Sequence, residues 1–202
     1  MPRPSLAHER RAELRPVIAR AFAEAGYRRM TTAELARRCG LQETQLFRLW
    51  PDKRAMFLAA IDYVYAVAVE QWQTLLRASE VDDGGDDAAQ RLLAYEAKHH
   101  GEWGLYRIVF AGLSESDDPE VRRALRRMYA RFHRFIARQI TAHRAANEGA
   151  THTPDPELAA WAIIGMGTVA DVLRELRVGS AAQRRELFEQ VGQVMLEGQR
   201  TR

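Results

Sequence analysis

Residues 21–57 read AFAEAGYRRMTTAELARRCGLQETQLFRLWPDKRAMF and contain the most informative pattern in this chain of 202 residues. Two short amphipathic helices are predicted here, over residues 32–38 and 42–49, because apolar residues recur at helical spacing on both sides of a turn. Gly40 lies in that turn, where glycine can adopt a left-handed backbone conformation that other residues avoid. The segment therefore predicts a helix-turn-helix over about residues 31–50.

Capping signals define the ends of these helices. Thr31 and Glu34 form a Thr-x-x-Glu capping box, in which each side chain is expected to satisfy an unpaired backbone N–H at the helix start. Pro51 ends the second helix, because the residue before a proline avoids helical geometry. Asp52 is the predicted N-cap of a long helix that continues to about residue 76.

The rest of the chain also shows the 3.6-residue period of helices, and no segment shows the alternation of a strand. The first helix is predicted to end at Gly26, and Pro16 indicates either a start close to that residue or a kink there. Turn-forming residues at 79–87 and 147–156 separate later helices. Those helices are predicted over residues 88–100, 102–114, 119–146, 155–178 and 181–199. The sequence thus predicts an all-α protein.

Charge divides the chain into two parts. Residues 1–54 hold 12 Lys and Arg against 6 Asp and Glu, whereas residues 55–202 hold 18 against 21. A basic N-terminal part indicates an anionic partner, although a solvated basic face has the same composition. We predict an N-terminal three-helix domain over residues 1–54 and a C-terminal helical domain over residues 55–202.

The composition also excludes several classes of protein. No uninterrupted apolar run reaches the roughly 20 residues that span a bilayer, and residues 1–16 lack the apolar segment and cleavage site of a signal peptide. A cytoplasmic protein without a membrane partner is expected. Cys39 is the single cysteine, which excludes a disulfide framework and a cysteine zinc site. Neither a cofactor nor a bound metal is predicted.

The segment 21–57 resembles the DNA-binding signature of tetracycline-repressor-type (TetR/AcrR) transcription regulators. The shared features are the order and spacing of an aromatic residue, Gly-Tyr, a capped helix, a Gly-hydrophobic turn and an aromatic-rich helix followed by lysine. The agreeing positions are Phe22, Gly26, Tyr27, Thr31, Ala36, Gly40, Leu41, Leu46, Phe47, Trp50 and Lys53. The resemblance implies a homodimer that binds double-stranded operator DNA, acts as a repressor, and is released when a small apolar or aromatic effector binds the C-terminal domain.

The resemblance places the second helix of the motif, the recognition helix, in the major groove. The predicted base contacts are Gln42, Glu43, Thr44 and Gln45, and the predicted phosphate contacts are Thr31, Phe47, Arg48, Lys53, Arg28 and Arg29. Gln45 could pair with adenine and Glu43 could accept from cytosine. Some side chains depart from the family pattern: Phe47 lacks a hydroxyl that would donate to phosphate, and Leu49 offers no polar contact.

A pocket for the effector is predicted in the middle helices of the C-terminal half. Large apolar side chains with a few polar ones suit an apolar or aromatic ligand with one polar anchor. The same side chains would also form an ordinary core. The predicted lining is His99, Trp103, Tyr106, Arg107, Phe110, Met128, Phe132, Trp161 and Met166.

Two apolar stripes near the C-terminus predict a dimer interface. Small residues within 161–176 allow a partner helix to approach closely, and two helices from each subunit would form a four-helix bundle across a twofold axis. An intramolecular helix pair would show the same pattern. The predicted interface residues are Gly165, Thr168, Val172, Leu187, Val191 and Met195.

Two alternatives to a ligand-responsive regulator were open. An enzyme finds little support: Glu96 and His99 match half of a helical di-iron site, and the sequence supplies no second Glu-x-x-His pair, while Cys39 lies in the turn of the motif without a base beside it. The other alternative is a protein of this fold that has lost DNA binding, because its recognition helix departs from the family pattern.

Overall fold

The computed structural model describes residues 6–79, 88–147 and 153–198, and all regular structure within these ranges is helical, which confirms the all-α prediction. The helices are α1 Leu6–Arg29, α2 Thr32–Arg38, α3 Glu43–Leu49, α4 Lys53–Ser79, α5 Ala88–His99, α6 Tyr106–Ser114, α7 Pro119–Ala146, α8 Pro156–Leu176, α9 Ala181–Glu186, a π-helical segment Leu187–Gly192, and α10 Gln193–Glu197. The predicted turns at 79–87 and 147–156 lie largely outside the described residues.

Helix α1 begins at Leu6 and runs through Pro16, so the expected helix start close to Pro16 is wrong. Proline in a helix interior removes one backbone hydrogen bond. The break in α1 lies at Gly26, whose φ of 74° and ψ of 168° are outside the helical region. Glycine tolerates this conformation because it has no Cβ. The predicted interruption of the helix at Gly26 is therefore confirmed.

The capping box predicted at α2 is only half formed. The Thr31 hydroxyl accepts the backbone N–H of Glu34 at 3.2 Å, but the Glu34 carboxylate binds Arg37 and Arg38 at 2.7 and 2.8 Å instead of returning to Thr31. These hydrogen bonds lower the pKa of Glu34 to about 2. The cap at α4 follows the prediction, since the Asp52 carboxylate accepts the Ala55 N–H at 2.7 Å.

The chain forms two compact units. Unit one comprises Met1–Ala68 and Trp103–Met128, and unit two comprises Val69–Glu102 and Tyr129–Arg202. Besides α1–α3, unit one contains the first part of α4, α6 and the first turns of α7. This structural division differs from the predicted domain boundary after residue 54, because α6 packs with the N-terminal helices.

In unit one, α1 packs against α2, α3 and α6. Phe22 and Phe57 are fully buried and their ring centroids lie 5.0 Å apart, with Tyr27 at 4.7 Å from Phe57. Burial of each such side chain stabilises the fold by about 1.5–3 kcal/mol. Leu46 of α3 is also fully buried. Its burial determines which face of α3 points away from the core.

In unit two, Trp72 of α4 lies between Phe132 and Phe135 of α7, at ring distances of 5.7 and 5.1 Å. Its indole N–H donates to the Glu96 carboxylate at 2.7 Å. Buried tryptophan side chains need such a partner for their single polar atom. The contact joins α4 to α5.

The last predicted helix, 181–199, contains a π-helical segment that the sequence did not indicate. Gly192 ends this segment, and a Cβ added to it would lie 2.4 Å from Cδ1 of Leu93. Glycine at this position therefore allows the segment to approach α5 closely.

Candidate functional site

The N-terminal end of α3 forms an exposed polar surface. Leu46 and Trp50 are buried on the opposite side and hold the helix against unit one. Phe47, with 41% of its surface exposed, lies beside this polar surface. The exposed side chains are Gln42, Glu43, Thr44, Gln45 and Arg48. A short helix presented in this way has the form that docks in the major groove.

Gln45 has a second role at the start of α3. Its side-chain carbonyl accepts the backbone N–H of Gln42 at 2.9 Å. A bidentate pairing with adenine uses both the carbonyl and the amide group of glutamine. Gln45 must therefore release this cap before it can pair with a base as the sequence predicts.

Lys53 is engaged within the protein and does not extend into solvent. Its ammonium donates to the backbone carbonyls of Tyr27 and Met30, both at 3.1 Å, and lies 4.5 Å from the centre of the Tyr27 ring. These contacts satisfy carbonyls at the end of α1. In this structure Lys53 holds α4 to α1, and its phosphate contact stays a prediction.

The three arginines predicted to contact phosphate differ in whether their guanidinium groups already bind an acceptor within the protein. Arg28 donates to the Glu115 carboxylate at 2.6 Å, and Arg29 donates to the Ala25 carbonyl at 3.1 Å. Arg48 is exposed and forms no hydrogen bond or ion pair with another residue that the structure describes. Among these three, Arg48 is the one whose charge is fully available to an anion.

Arg11 was not predicted and supports α3 directly. Its guanidinium donates to the carbonyl of Leu49, the last residue of α3, at 2.6 Å. A cation at a helix C-terminus compensates carbonyls that lack helical partners. No sequence pattern indicates this contact, because 38 positions separate the two residues.

Cys39 is buried in the turn between α2 and α3. Burial raises the pKa of its thiol, which keeps the sulfur protonated near neutral pH. A protonated thiol is a weak nucleophile. The geometry thus agrees with a structural role for this residue.

The residues predicted to line the effector pocket are divided between the two units. Trp103, Tyr106, Arg107, Phe110 and Met128 belong to unit one, and His99, Phe132, Trp161 and Met166 belong to unit two. Trp103 is 61% exposed and Trp161 is 48% exposed, whereas the two methionines are buried. Neither unit contains the whole predicted lining.

A buried polar network in unit two was missed by the sequence analysis. His100 Nδ1 lies 2.7 Å from the Glu96 carboxylate, and Nε2 lies 3.0 Å from the Gly167 carbonyl and 3.3 Å from the Asp171 carboxylate. Because all of these atoms are acceptors, both ring nitrogens must donate, which requires a protonated imidazole. The neighbouring His99, a predicted pocket residue, lies 3.0 Å from the Glu102 carboxylate.

The charge of His100 follows from its neighbours. Burial alone would lower the pKa of His100, but hydrogen bonds and negative charge from Asp171 and Glu96 more than offset this effect and raise it from 6.5 to about 10. Arg174 adds a further contact by donating to the His100 carbonyl at 2.6 Å. The network therefore connects α5 to α8 through charged groups.

Helix α8 has an apolar stripe on its exposed face. Its spacing of three and four residues places the stripe along one side of the helix. The exposed positions are Leu158, Trp161, Gly165, Val169, Val172 and Leu176 on α8, with Val191 and Val194 close to the C-terminus. Gly165, Val172 and Val191 thus lie on the surface, as a dimer interface requires.

Three other residues predicted for the interface are partly buried and contact their own chain. The Thr168 hydroxyl donates to the Ile164 carbonyl at 3.0 Å and its side chain is hydrogen-bonded to Tyr129. Leu187 packs with Met166, Ala170 and Phe188. Met195 packs against a second buried cluster, which contains Ile140 and Leu196. Their place in a dimer interface stays a prediction.

By length and composition alone, α8 could also cross a membrane. Its mean hydropathy is 1.3, and 33% of the apolar window is buried. Core helices of soluble proteins meet the same criteria. Within the described residues, α8 is the one helix of this kind.

Comparison with known families identifies residues 17–60 as a match to bacterial regulatory proteins of the tetR family. The matched residues include α2, α3 and the turn between them. The nucleoid occlusion factor SlmA of Vibrio cholerae is 26% identical over 147 residues, covering 69% of this chain and 70% of SlmA. The expectation that the chain is not an enzyme agrees with a match to regulatory proteins.

Solved structures show the same fold over nearly the whole chain. A TetR-family transcriptional regulator from Cytophaga hutchinsonii superimposes with a TM-score of 0.77 at 15% identity, covering 98% of this chain and 100% of the other. A protein from Saccharomonospora viridis, described as a transcriptional regulator in complex with choline, gives a TM-score of 0.71 at 16% identity, with coverage of 92% and 95%. The predicted fold, an N-terminal helix-turn-helix followed by a larger helical part, is therefore confirmed.

Proposed function

We propose that this chain, whose residues 17–60 belong to the tetR family of bacterial regulatory proteins, is a cytoplasmic transcription regulator that binds double-stranded operator DNA as a homodimer. The observation that carries the proposal is the exposed polar N-terminal end of α3. Buried Leu46 and Trp50 hold this helix in place while its polar side chains remain accessible. Side chains at the start of such a helix can reach base edges.

Electrostatics supports the same assignment. Residues 1–54 carry twice as many basic as acidic side chains, and Arg48 on α3 is free to contact a phosphate. Phosphate contacts position a protein on the duplex, whereas base contacts determine its sequence preference. Arg48 therefore contributes to affinity, and the side chains from Gln42 to Gln45 contribute to specificity.

The exposed stripe on α8 supports the dimer. Two recognition helices must lie about 34–36 Å apart to occupy consecutive turns of DNA, and a symmetric dimer supplies that pair. An uncovered apolar stripe of this length is typical of a surface that binds a partner. In the dimer the stripe of one subunit packs against the stripe of its partner, and α8 does not enter a membrane.

We also propose that a small apolar or aromatic effector releases the protein from its operator, so that the protein acts as a repressor. The choline complex of a structural neighbour supports the binding of small organic molecules by this fold. In this chain, aromatic and methionine side chains of the C-terminal half would line the effector pocket.

The proposal is tested in two steps. Duplexes that bind the protein are first selected from a random DNA pool, and the affinity for the selected sequence is then measured by fluorescence anisotropy at several salt concentrations. Neutralising one phosphate contact changes the log-log salt slope by about one. We expect Arg48→Ala to flatten the slope by about one, and Arg138→Ala, an exposed arginine of unit two, to leave it unchanged.

Two results would contradict the assignment. An unchanged slope for Arg48→Ala would remove Arg48 from the contact surface. Absence of salt-dependent binding to mixed duplex DNA at low ionic strength would favour the alternative, a protein of this fold that has lost DNA binding. Small molecules are then screened for release of the selected duplex, and a lack of any active compound among apolar and aromatic candidates would contradict the proposed effector class.

A further inference from the structure

A cavity of about 40 Å³ lies where α5, α8 and α9 meet in unit two. Five cationic side chains line it: Lys98 of α5, His100 directly after α5, Arg174 of α8, and Arg184 and Arg185 of α9. None of the described residues that line it is acidic. Charge of one sign around a concave surface focuses the field and attracts ions of opposite sign.

Arg184 gives the most specific indication of a ligand. Its Nη1 donates to the Gly179 carbonyl at 2.7 Å, whereas its Nε is buried and has no acceptor among the residues that the structure describes. A buried N–H without an acceptor is unfavourable, and such groups usually have a partner. An oxygen atom of an anion in the cavity would supply the missing acceptor.

Two carboxylates close to this cluster are engaged by His100. Glu96 and Asp171 both bind the His100 imidazole and do not line the cavity. Arg174 is partly committed, since it donates to the His100 carbonyl at 2.6 Å. The positive charge of Lys98, Arg184 and Arg185 is therefore available to a ligand.

The size of the cavity limits the ligand. One buried water requires roughly 10–15 Å³ of such volume, so 40 Å³ accommodates a group of a few heavy atoms. Small side chains at Ala97, Ala170 and Ala181 leave this space, and Phe188 closes one side. The volume is far below the roughly 300 Å³ of a typical pocket for a drug-sized ligand.

We propose that this cavity is a binding site for a phosphate group, either free phosphate or the phosphate of a small metabolite whose remainder extends into solvent. Guanidinium groups match phosphate oxygens in two-point hydrogen bonds, and several uncompensated cations favour a dianion over a monoanion. The site goes beyond the proposed regulatory function and does not depend on DNA binding.

Isothermal titration calorimetry on the full-length protein without DNA tests the proposal, with inorganic phosphate as the probe at constant ionic strength. We expect saturable binding of one phosphate per chain. Arg184→Gln should weaken it about tenfold, because a charge-assisted hydrogen bond is lost. Arg48→Gln, which removes an equal charge from α3, should leave it unchanged and thereby separates this site from the DNA surface.

Titrations with two further ligands identify the ligand class. A phosphate monoester such as glycerol phosphate should bind with similar affinity, whereas acetate should bind at least about tenfold more weakly because it carries one charge. Acetate binding equal to phosphate would overturn the phosphate assignment.

Folding of each variant is checked by circular dichroism. If Arg184→Gln fails to fold, the exposed variants Arg185→Gln and Lys98→Gln decide the question. The proposal would be contradicted if Arg48→Gln weakened phosphate binding as much as these variants do. It would also be contradicted if the wild type showed no saturable phosphate binding.

Discussion

Thr31 has a structural role that does not depend on DNA. Its hydroxyl caps α2 by accepting the Glu34 N–H at 3.2 Å. Loss of an N-cap side chain costs about 0.5–2 kcal/mol. We therefore expect Thr31→Ala to lower the free energy of unfolding by about 1 kcal/mol in urea titrations.

Thr44 supplies the matched control for this prediction. It lies exposed in α3 and is predicted to contact DNA bases. Thr44→Ala should leave the free energy of unfolding within about 0.5 kcal/mol of the wild type, as surface substitutions usually do. Equal stability of the two variants would contradict the capping role of Thr31.

His100 makes the stability of unit two dependent on pH. Its pKa is about 10 in the folded protein, against 6.5 for an ordinary histidine. The raised pKa means that the protonated form stabilises the fold fully below about pH 6.5. This contribution is lost as the pH rises towards 10.

We expect the stability difference between the wild type and His100→Gln to be larger at pH 6 than at pH 9, by about 3 kcal/mol. Thermal or urea unfolding across this pH range provides the measurement. If the difference between wild type and His100→Gln were constant from pH 6 to pH 9, the protonated state of His100 would be refuted.

Single residues were predicted correctly where their partners are close in sequence. The Thr31 hydroxyl and the Asp52 carboxylate each accept the backbone N–H of the residue three positions further along the chain, so the sequence alone predicted both helix caps. Lys53 binds the Met30 carbonyl, 23 positions away, and His100 binds Asp171, 71 positions away, so only the folded chain shows these contacts.

At the scale of the helices, the apolar stripe of α8 has a direct consequence for assembly. Val169 lies in the middle of that stripe and is 51% exposed. A buried unpaired carboxylate is strongly unfavourable. We expect Val169→Glu to weaken dimerisation at least about tenfold, measured by analytical ultracentrifugation, while the helical circular dichroism signal stays unchanged.

Leu113→Glu is the control for this substitution, because Leu113 of α6 is also an apolar residue on the surface, with 47% of its area exposed. It should leave the association constant unchanged. Dimerisation that resists Val169→Glu, or a wild type that is monomeric, would refute the interface on α8.

The bounds of α2, α3 and α7 were predicted within one residue, because capping residues, Gly40 and prolines mark their ends. The π-helical segment was not predicted, since the close approach of Gly192 to Leu93 is visible only in the folded chain. For Thr168, Leu187 and Met195, periodicity shows a stripe but not whether it faces its own chain or a second one.

At the scale of the whole molecule, the two compact units explain why the effector pocket could not be derived from sequence. The predicted lining residues belong to both units, and aromatic composition alone does not distinguish a cavity from a core. The packing of α6 in unit one depends on contacts between α1 and residues far along the chain, which no local pattern indicates. The domain boundary after residue 54 stays a prediction.

Unit one also contains an ion pair that engages a predicted phosphate contact. Arg28 of α1 is predicted to contact phosphate but is bound by Glu115 at 2.6 Å. Removal of the carboxylate frees the guanidinium. We expect Glu115→Gln to increase affinity for duplex DNA by about two- to fivefold at low salt, measured by fluorescence anisotropy.

Glu13→Gln separates this local effect from a general change in net charge. Glu13 pairs with Arg10 on the exposed surface of α1 at 2.8 Å, so the substitution removes the same charge without releasing Arg28. Equal effects of the two substitutions would show that Arg28 itself does not reach the duplex.

The π-helical segment Leu187–Gly192 gives the chain a point at which one residue can be lost. A π-helix pairs each N–H with the carbonyl five residues back, whereas an α-helix pairs it with the carbonyl four residues back, so a turn of this segment holds about one residue more than an α-helical turn. Deletion of one residue between Leu187 and Gly192 would therefore let the segment become α-helical and would leave Leu196, now 2% exposed, facing inward. Related sequences should accordingly lose a codon in this segment more readily than in the neighbouring α-helical turns.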